Sequence, residues 1–403
     1  MQKAYNIAIL GAGVVGLRTA KVLASAQDLV HRINISLVKN TLDQHDERTK
    51  ELFAFLLQHE NIVLYVTGDE QRQSIDAKVA NAKTAGCQVS GIFSHDEVKG
   101  HAQLWRFDPA EYDSFIDCTA EKSTNITVPF IREHRRFGVP LSVQGGTDPG
   151  LVGNMLMFGP HTIGDVRYVP KQDNTIASCN THAIGYTLAA LDGFFNVTDI
   201  EYINLWLDRR YKDREDPPKD FQYGKDDLYK QSHHAEDIVR CVPWLKEVQV
   251  YSEAKKLPYE HYHLSTVLIS LKSAVSDNDF ENCIARFKKS PVVAYASQHL
   301  FGASDKEKIC AVERISRITT GLGFPDGDIL RPLVHARKGE QAIFVDVVTS
   351  QRSIVAEDNC KKVYIDLGIV SSPVSAHEYL SVNNAYGPCL LGETKGVLEK
   401  AFS

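Results

Sequence analysis

The first apolar run of the chain is short and unbroken. Asn6-Ile7-Ala8-Ile9-Leu10 leads into Gly11-Ala12-Gly13-Val14-Val15-Gly16, after which apolar positions return at helical spacing through Ala20, Val22 and Leu23. A run that is apolar on both faces predicts a strand buried on both sides, and the spacing after it predicts an amphipathic helix. The alternation continues with a strand over 33–38, a helix over 47–58, a strand over 62–66, a helix over 70–85, a strand over 114–119, a helix over 128–137 and an extended stretch over 140–146. Strands separated by helices predict a largely parallel sheet of the doubly wound α/β type. Beyond residue 179 the apolar period shifts to two, over 200–207, 248–251, 263–271 and a hairpin over 330–349 that turns at Lys338-Gly339-Glu340. Helices over 277–289 and 305–320 interrupt these strands, which predicts an α+β region with a mainly antiparallel sheet. Residues 210–237 are polar, contain Pro217-Pro218 and read as a long irregular loop of the kind that carries function.

A chain of 403 residues exceeds what one core supports, so two domains are expected, over 1–177 and 178–372, with 373–403 returning to the first. Hydrophobic residues at 43%, charged residues at 24% and a net charge of −6 describe a soluble globular protein, with no general cationic surface for nucleic acid. No apolar run is long enough to cross a membrane and the N-terminus has no secretory leader, so a cytoplasmic protein is expected. The eight cysteines include no C-x-x-C pair, which argues for free thiols and against a metal centre or a disulfide framework.

Candidate chemistry lies at two strand-to-helix junctions. In the first, Gly11, Ala12, Gly13, Val14, Val15 and Gly16 follow the G-x-G-x-x-G pattern of a Rossmann dinucleotide-binding turn. Gly11 would allow the tight turn, Gly13 the approach of a pyrophosphate and Gly16 close packing of the helix. The strand over 33–38 ends in Lys39-Asn40 rather than in an acidic residue. A lysine and an asparagine suit a 2′-phosphate, which favours NADP or the use of both NADP and NAD. Thr119 ends the strand expected to carry the nicotinamide-side loop. The second junction is Ser178-Cys179-Asn180-Thr181-His182, where Ser178 or Asn180 would cap a helix and Cys179 would lie in its first turn. Unpaired amides there favour an anion, and the thiolate is the nucleophilic form of cysteine.

Several collinear blocks resemble the archaeal-type glyceraldehyde-3-phosphate dehydrogenases. They are residues 82–91, Gln144-Gly145-Gly146, Ser178-Cys179-Asn180-Thr181, Ser232-His233-His234 and residues 345–359, the last resembling that family's late strand and turn. The resemblance implies that Cys179 attacks the aldehyde of a triose phosphate, that a thioester forms, and that inorganic phosphate releases an acyl phosphate. That chemistry needs oxyanion donors, which Asn180 could supply, and cationic or dipolar groups for two phosphates, for which His233, His234, Arg209 and Arg210 are candidates, with Ser178 and Thr181 also at the substrate. Gln351 falls at a cofactor position, and the enzyme would be a homo-oligomer, a tetramer. For the base it offers His263, with His261 second. The chain departs from the family at Ala120-Glu121-Lys122-Ser123, where a glycine-rich loop is usual, and at Tyr186, where an arginine is usual. A related enzyme acting on another phosphorylated aldehyde or acyl phosphate, or a catalytically silent nucleotide-binding homologue, stays open as an alternative.

Overall fold

A computed structural model describes the chain apart from residues 1–2, 27–29, 44, 68–73, 94–103, 120, 145–151, 153–154, 159–168, 213–219, 303, 322–330 and 383–403. Gly145, Gly146, Pro217 and Pro218 thus lie outside the described residues, as do the side chains of Glu121, Lys122 and Gln351. Two compact units result, one built mainly from Met1–Asn154, Tyr168–Ile176 and Val355–Tyr386, the other mainly from Ala177–Ile354.

The first sheet has nine strands: β1 (Lys3–Leu10), β2 (His31–Lys39), β3 (Ile62–Thr67), β4 (Val89–Phe93), β5 (Trp105–Arg106), β6 (Ser114–Asp117), β7 (Leu141–Gln144), β8 (Met155–Leu156) and β9 (Asn174–Ile176). Their order is β5-β4-β3-β2-β1-β6-β7-β9-β8, and the pairs from β5 through β9 are parallel. The doubly wound expectation therefore holds. Ile7 and Ile9 of β1 are wholly buried, each stabilising the core by roughly 1.5–3 kcal/mol. The order reverses between β1 and β6, the switch point at which such sheets open a ligand crevice beyond the strand ends.

Two helices depart from expectation. The helix expected over 128–137 spans Glu121–His134, with Pro129 inside it. Proline past the first turn removes one intrahelical bond, and the polar stretch before it masks the true start. Where residues 345–359 suggested a strand and turn, β16 ends and the helix Gln351–Asp366 begins. Asp358, Asn359, Lys361 and Lys362 are fully buried in it. Buried charge must be paired: Lys361 bonds Glu357 and lies 3.6 Å from Asp358, Lys362 bonds Asp366, and Asp366 accepts the Lys171 amide at 2.7 Å. Within the first unit the helix is held by Cys360 bonding the Thr19 carbonyl and Tyr364 bonding the Ala26 carbonyl.

The second sheet comprises β10 (Ile200–Arg210), β11 (Lys230–Gln231), β12 (Val250–Leu257), β13 (His263–Leu271), β14 (Ala294–Tyr295), β15 (Leu333–Lys338) and β16 (Ala342–Thr349), in the order β11-β12-β10-β13-β16-β15-β14. Four pairings are antiparallel and two, β10 with β12 and β14 with β15, are parallel. The helices Cys179–Ala189 and His234–Cys241 pack on each other and on this sheet. Their Ala183, Ile184, Leu188 and Ile238 interdigitate with Ile203, Leu205, Val267, Ile269, Val345 and Val347. Part of the loop expected over 210–237 is thus ordered as β11 and a helix start.

Candidate functional site

Two of the three glycines of the first turn have separate steric reasons. Gly11 has φ +85°, and a Cβ there would lie 2.9 Å from the Cys118 carbonyl and 3.0 Å from the Thr119 methyl. Thr119 is held in place by Asp117, whose Oδ1 accepts its amide at 2.8 Å and its hydroxyl at 2.6 Å. Burial pushes the Asp117 carboxyl up, against the hydrogen bonds from Thr119 and Thr127. A Cβ on Gly16 would run into the Gly11 carbonyl oxygen, whereas one on Gly13 meets nothing within 4 Å. Gly13 caps the helix Val14–Ser25 without a side-chain bond, and the first intrahelical bond is Leu17 to Gly13, so the amides of Val14, Val15 and Gly16 precede it. Open space over bare amides suits an anion. Gly16→Ala should therefore cost roughly 1–3 kcal/mol of stability in a denaturant titration. Gly13→Ala should keep the unfolding midpoint yet weaken dinucleotide binding by about tenfold or more. Wild-type cofactor affinity in Gly13→Ala would remove this turn from the cofactor site.

Lys39 ends β2 in a buried position, and burial pushes its ammonium below the usual lysine range, opposed by Asp46. It has no hydrogen bond or ion pair among the described residues. Asn40 beside it is exposed and accepts the Thr41 hydroxyl at 3.3 Å.

At the second junction Ser178 is the helix cap, its Oγ accepting the Thr181 amide at 3.3 Å and bonding the Thr181 hydroxyl at 2.9 Å. These two hydroxyls hold each other. The His182 amide returns to the Ser178 carbonyl at 2.8 Å and starts the helix. Cys179 is its first residue, 6% exposed. Asn180 follows with a buried carboxamide whose Oδ1 has no hydrogen-bond partner among the described residues. Tyr186, about two turns after Cys179, is buried and donates to the Phe158 carbonyl.

Connectivity places this helix start. Cys179–Ala189 leads into β10, and His234–Cys241 leads into β12, each through a short connection. Because β10 and β12 are parallel, the two helices also run the same way. Their N-termini face the sheet end where β10 finishes at Arg209-Arg210 and β13, antiparallel to it, begins at His263. His234, His263, Arg209 and Arg210 come together at this sheet end, and Cys179 and Asn180 begin a helix packed on the same sheet.

Hydrogen bonds fix the state of both buried histidines. The Arg210 amide donates to His263 Nδ1 at 3.2 Å, so the neutral ring carries its proton on Nε2. Burial, then Arg210, Arg209 and His234, hold His263 well below the usual histidine range. His234 is pushed down to about 3 by burial, His233 and Arg209. His233 is more than half exposed, stacks on His234 at 4.5 Å and approaches Asp237 at 3.5 Å. His261 is exposed, its ring centre 6.3 Å from that of Tyr262. Arg209 is exposed and makes no ion pair or hydrogen bond among the described residues, while Arg210 is buried.

Asp208 was not singled out from the sequence, and no local signal marks it, because its partners are distant in the chain. Its buried carboxylate accepts the Tyr229 hydroxyl at 2.7 Å, binds Lys308 and lies 3.7 Å from Lys255, while Tyr259 bonds its carbonyl at 3.0 Å. This staple anchors the end of β10, and with it the two arginines that follow. Among the described residues no group of three metal-ligating side chains is found.

No family model matches the chain. Among curated proteins it is similar to the glyceraldehyde-3-phosphate dehydrogenase of Sulfolobus acidocaldarius, with 22% identity over 391 residues that cover 94% of this chain and 98% of that one.

Proposed function

We propose that the protein is an NAD(P)-dependent oxidoreductase that oxidises a phosphorylated aldehyde, glyceraldehyde 3-phosphate first among them, and releases it to inorganic phosphate as an acyl phosphate. The observation that carries this reading is Cys179 at the first turn of a Ser178-capped helix that packs on the sheet whose end brings together His263, His234, Arg209 and Arg210. The full-length similarity to a glyceraldehyde-3-phosphate dehydrogenase supports the same class.

In this mechanism the Cys179 sulfur, as thiolate, adds to the aldehyde carbon, and the carbonyl electron pair moves onto oxygen. His263 meets that oxygen with its Nε2 proton, so its proposed role is donor rather than base. Asn180 supplies its carboxamide to the same charge. Arg209 and Arg210 neutralise phosphate, with Ser178 and Thr181 shaping the helix start beneath it. A nicotinamide held by the Gly11–Gly16 turn, Lys39, Asn40 and Thr119, with Gln351 a further candidate, would supply the hydride acceptor that converts the thiohemiacetal to a thioester. Phosphate then attacks the thioester carbon, and the Cys179 sulfur leaves with the electron pair of the broken C–S bond. The working enzyme would be a homo-oligomer. The buried Tyr186, bound to Phe158 where an arginine would be usual, keeps a different phosphorylated aldehyde as the second reading.

A substrate panel tests the class: phosphorylated and unphosphorylated aldehydes with NAD and NADP, each with and without phosphate. Oxidation of phosphorylated aldehydes alone is expected, and equal rates without the phosphoryl group would count against it. Lys39→Ala should weaken NADP more than NAD by roughly 1–2 kcal/mol in direct binding, the value of a charge-assisted contact. Equal loss for both cofactors would remove Lys39 from the 2′-phosphate.

A further inference from the structure

The hydroxyl protons around His234 can be assigned one by one. Ser252 Oγ lies 2.7 Å from the Ser232 carbonyl oxygen, which can only accept, so the Ser252 proton is committed there. The Ala235 amide donates to Ser252 Oγ at 3.0 Å. At 2.9 Å from Ser252 Oγ, the Ser232 hydroxyl must then be the donor. Its own proton spent, Ser232 Oγ can only accept from His234 Nδ1, 3.2 Å away. His234 thus holds its proton on Nδ1 and presents a bare lone pair on Nε2, which has no hydrogen-bond partner among the described residues although the residue is 2% exposed. His263 is fixed in the opposite tautomer by the Arg210 amide and presents Nε2–H. The same sheet end therefore combines cationic donors, Arg209 and Arg210, one neutral donor and one obligatory acceptor.

Resting on the reading above, we infer that His234 is a specificity-determining residue that makes this site require an anion bearing a proton, and so selects inorganic phosphate. Near neutral pH inorganic phosphate keeps at least one P–OH, which can donate to His234 Nε2 while its other oxygens take the arginines. A phosphomonoester, with a second pKa of about 6, is mostly a proton-free dianion, and sulfate carries no proton at all. Either would set an oxygen lone pair against the His234 lone pair. The Ser232–Ser252 relay keeps the ring from turning over to the other tautomer, because no proton remains in it to donate to Nδ1. The strong downward push on the His234 pKa fits this role, since a residue held neutral beside an anion stays an acceptor. Nothing is transferred covalently; the device is recognition alone.

Calorimetric titration of the full chain near pH 7, at matched ionic strength, with inorganic phosphate in one arm and sulfate in the other, tests the proposal. Phosphate should bind at least about tenfold tighter than sulfate, the equivalent of one hydrogen bond gained against one clash. In His234→Gln, whose amide can turn either its oxygen or its NH₂ to the anion, the preference should fall toward one while both anions still bind. Sulfate binding as tightly as phosphate to the wild type would overturn the proposal, and so would absence of phosphate binding or an unchanged preference in His234→Gln. The wild-type comparison alone decides if the variant does not fold. Aldehyde oxidation measured alongside separates the two readings: oxidation without anion preference sinks only the His234 assignment, and preference without oxidation sinks only the enzyme.

Discussion

Cys179→Ser is expected to lower aldehyde oxidation by about 10⁴-fold or more, the scale on which loss of a nucleophile is felt, with cofactor affinity and the unfolding midpoint left near wild type. The exchange is close to isosteric in a position that is 6% exposed, so packing against the second sheet is preserved. What changes is the atom: at neutral pH a hydroxyl is a far weaker nucleophile than a thiol at a helix start, where the positive end of the helix dipole favours the anion. Steady-state rates and cofactor titrations on the same preparation check both halves. A mutant that keeps a tenth of the activity would make Cys179 a structural residue.

His263→Ala carries the second large effect, a fall of about 10²- to 10³-fold in the rate of acyl-enzyme formation with substrate binding changed much less, as for removal of one oxyanion donor. The pH profile distinguishes donor from base. Burial and the two arginines hold the folded pKa of His263 well below 6.5, so lowering the pH from about 8 to about 6 leaves the ring neutral and its Nε2 proton in place. His263 should impose no ionisation on the rate in that range. A histidine-like ionisation that disappears in His263→Ala would restore the general-base role that its position in the sequence first suggested. His261→Asn, at an exposed position, should change the rate by less than about threefold.

The strand-to-helix junctions were legible because their signals are local. Glycines at three fixed offsets after an apolar strand, and a serine before a new helical period, are backbone requirements written in the residues that meet them. Gly11 needs its positive φ, Gly16 its missing Cβ and Ser178 its hydroxyl. The helix Gln351–Asp366 was illegible for the opposite reason. Charged residues suggest a solvated segment, yet here Lys361 and Lys362 are buried, and only the i,i+4 spacing of Glu357 with Lys361 and of Lys362 with Asp366 hints at internal pairing. Arg209 and Arg210 were legible as candidates but not as the last residues of β10, because a partner strand more than forty residues later extends that strand. The tautomers of His234 and His263 could not be read from sequence at all. One is fixed by a backbone amide across two strands and the other by a pair of serines brought together by β12.

The central claim is that oxidation proceeds through a covalent acyl group on Cys179. Mixing enzyme, cofactor and glyceraldehyde 3-phosphate in the absence of phosphate, then quenching and locating the modification by peptide mass spectrometry, tests it directly. The account predicts reduced cofactor in an amount close to one per active site, with the matching acyl mass on the peptide containing Cys179 and its release on adding phosphate. Reduced cofactor without an acyl group on Cys179, or an acyl group on another residue, would contradict it.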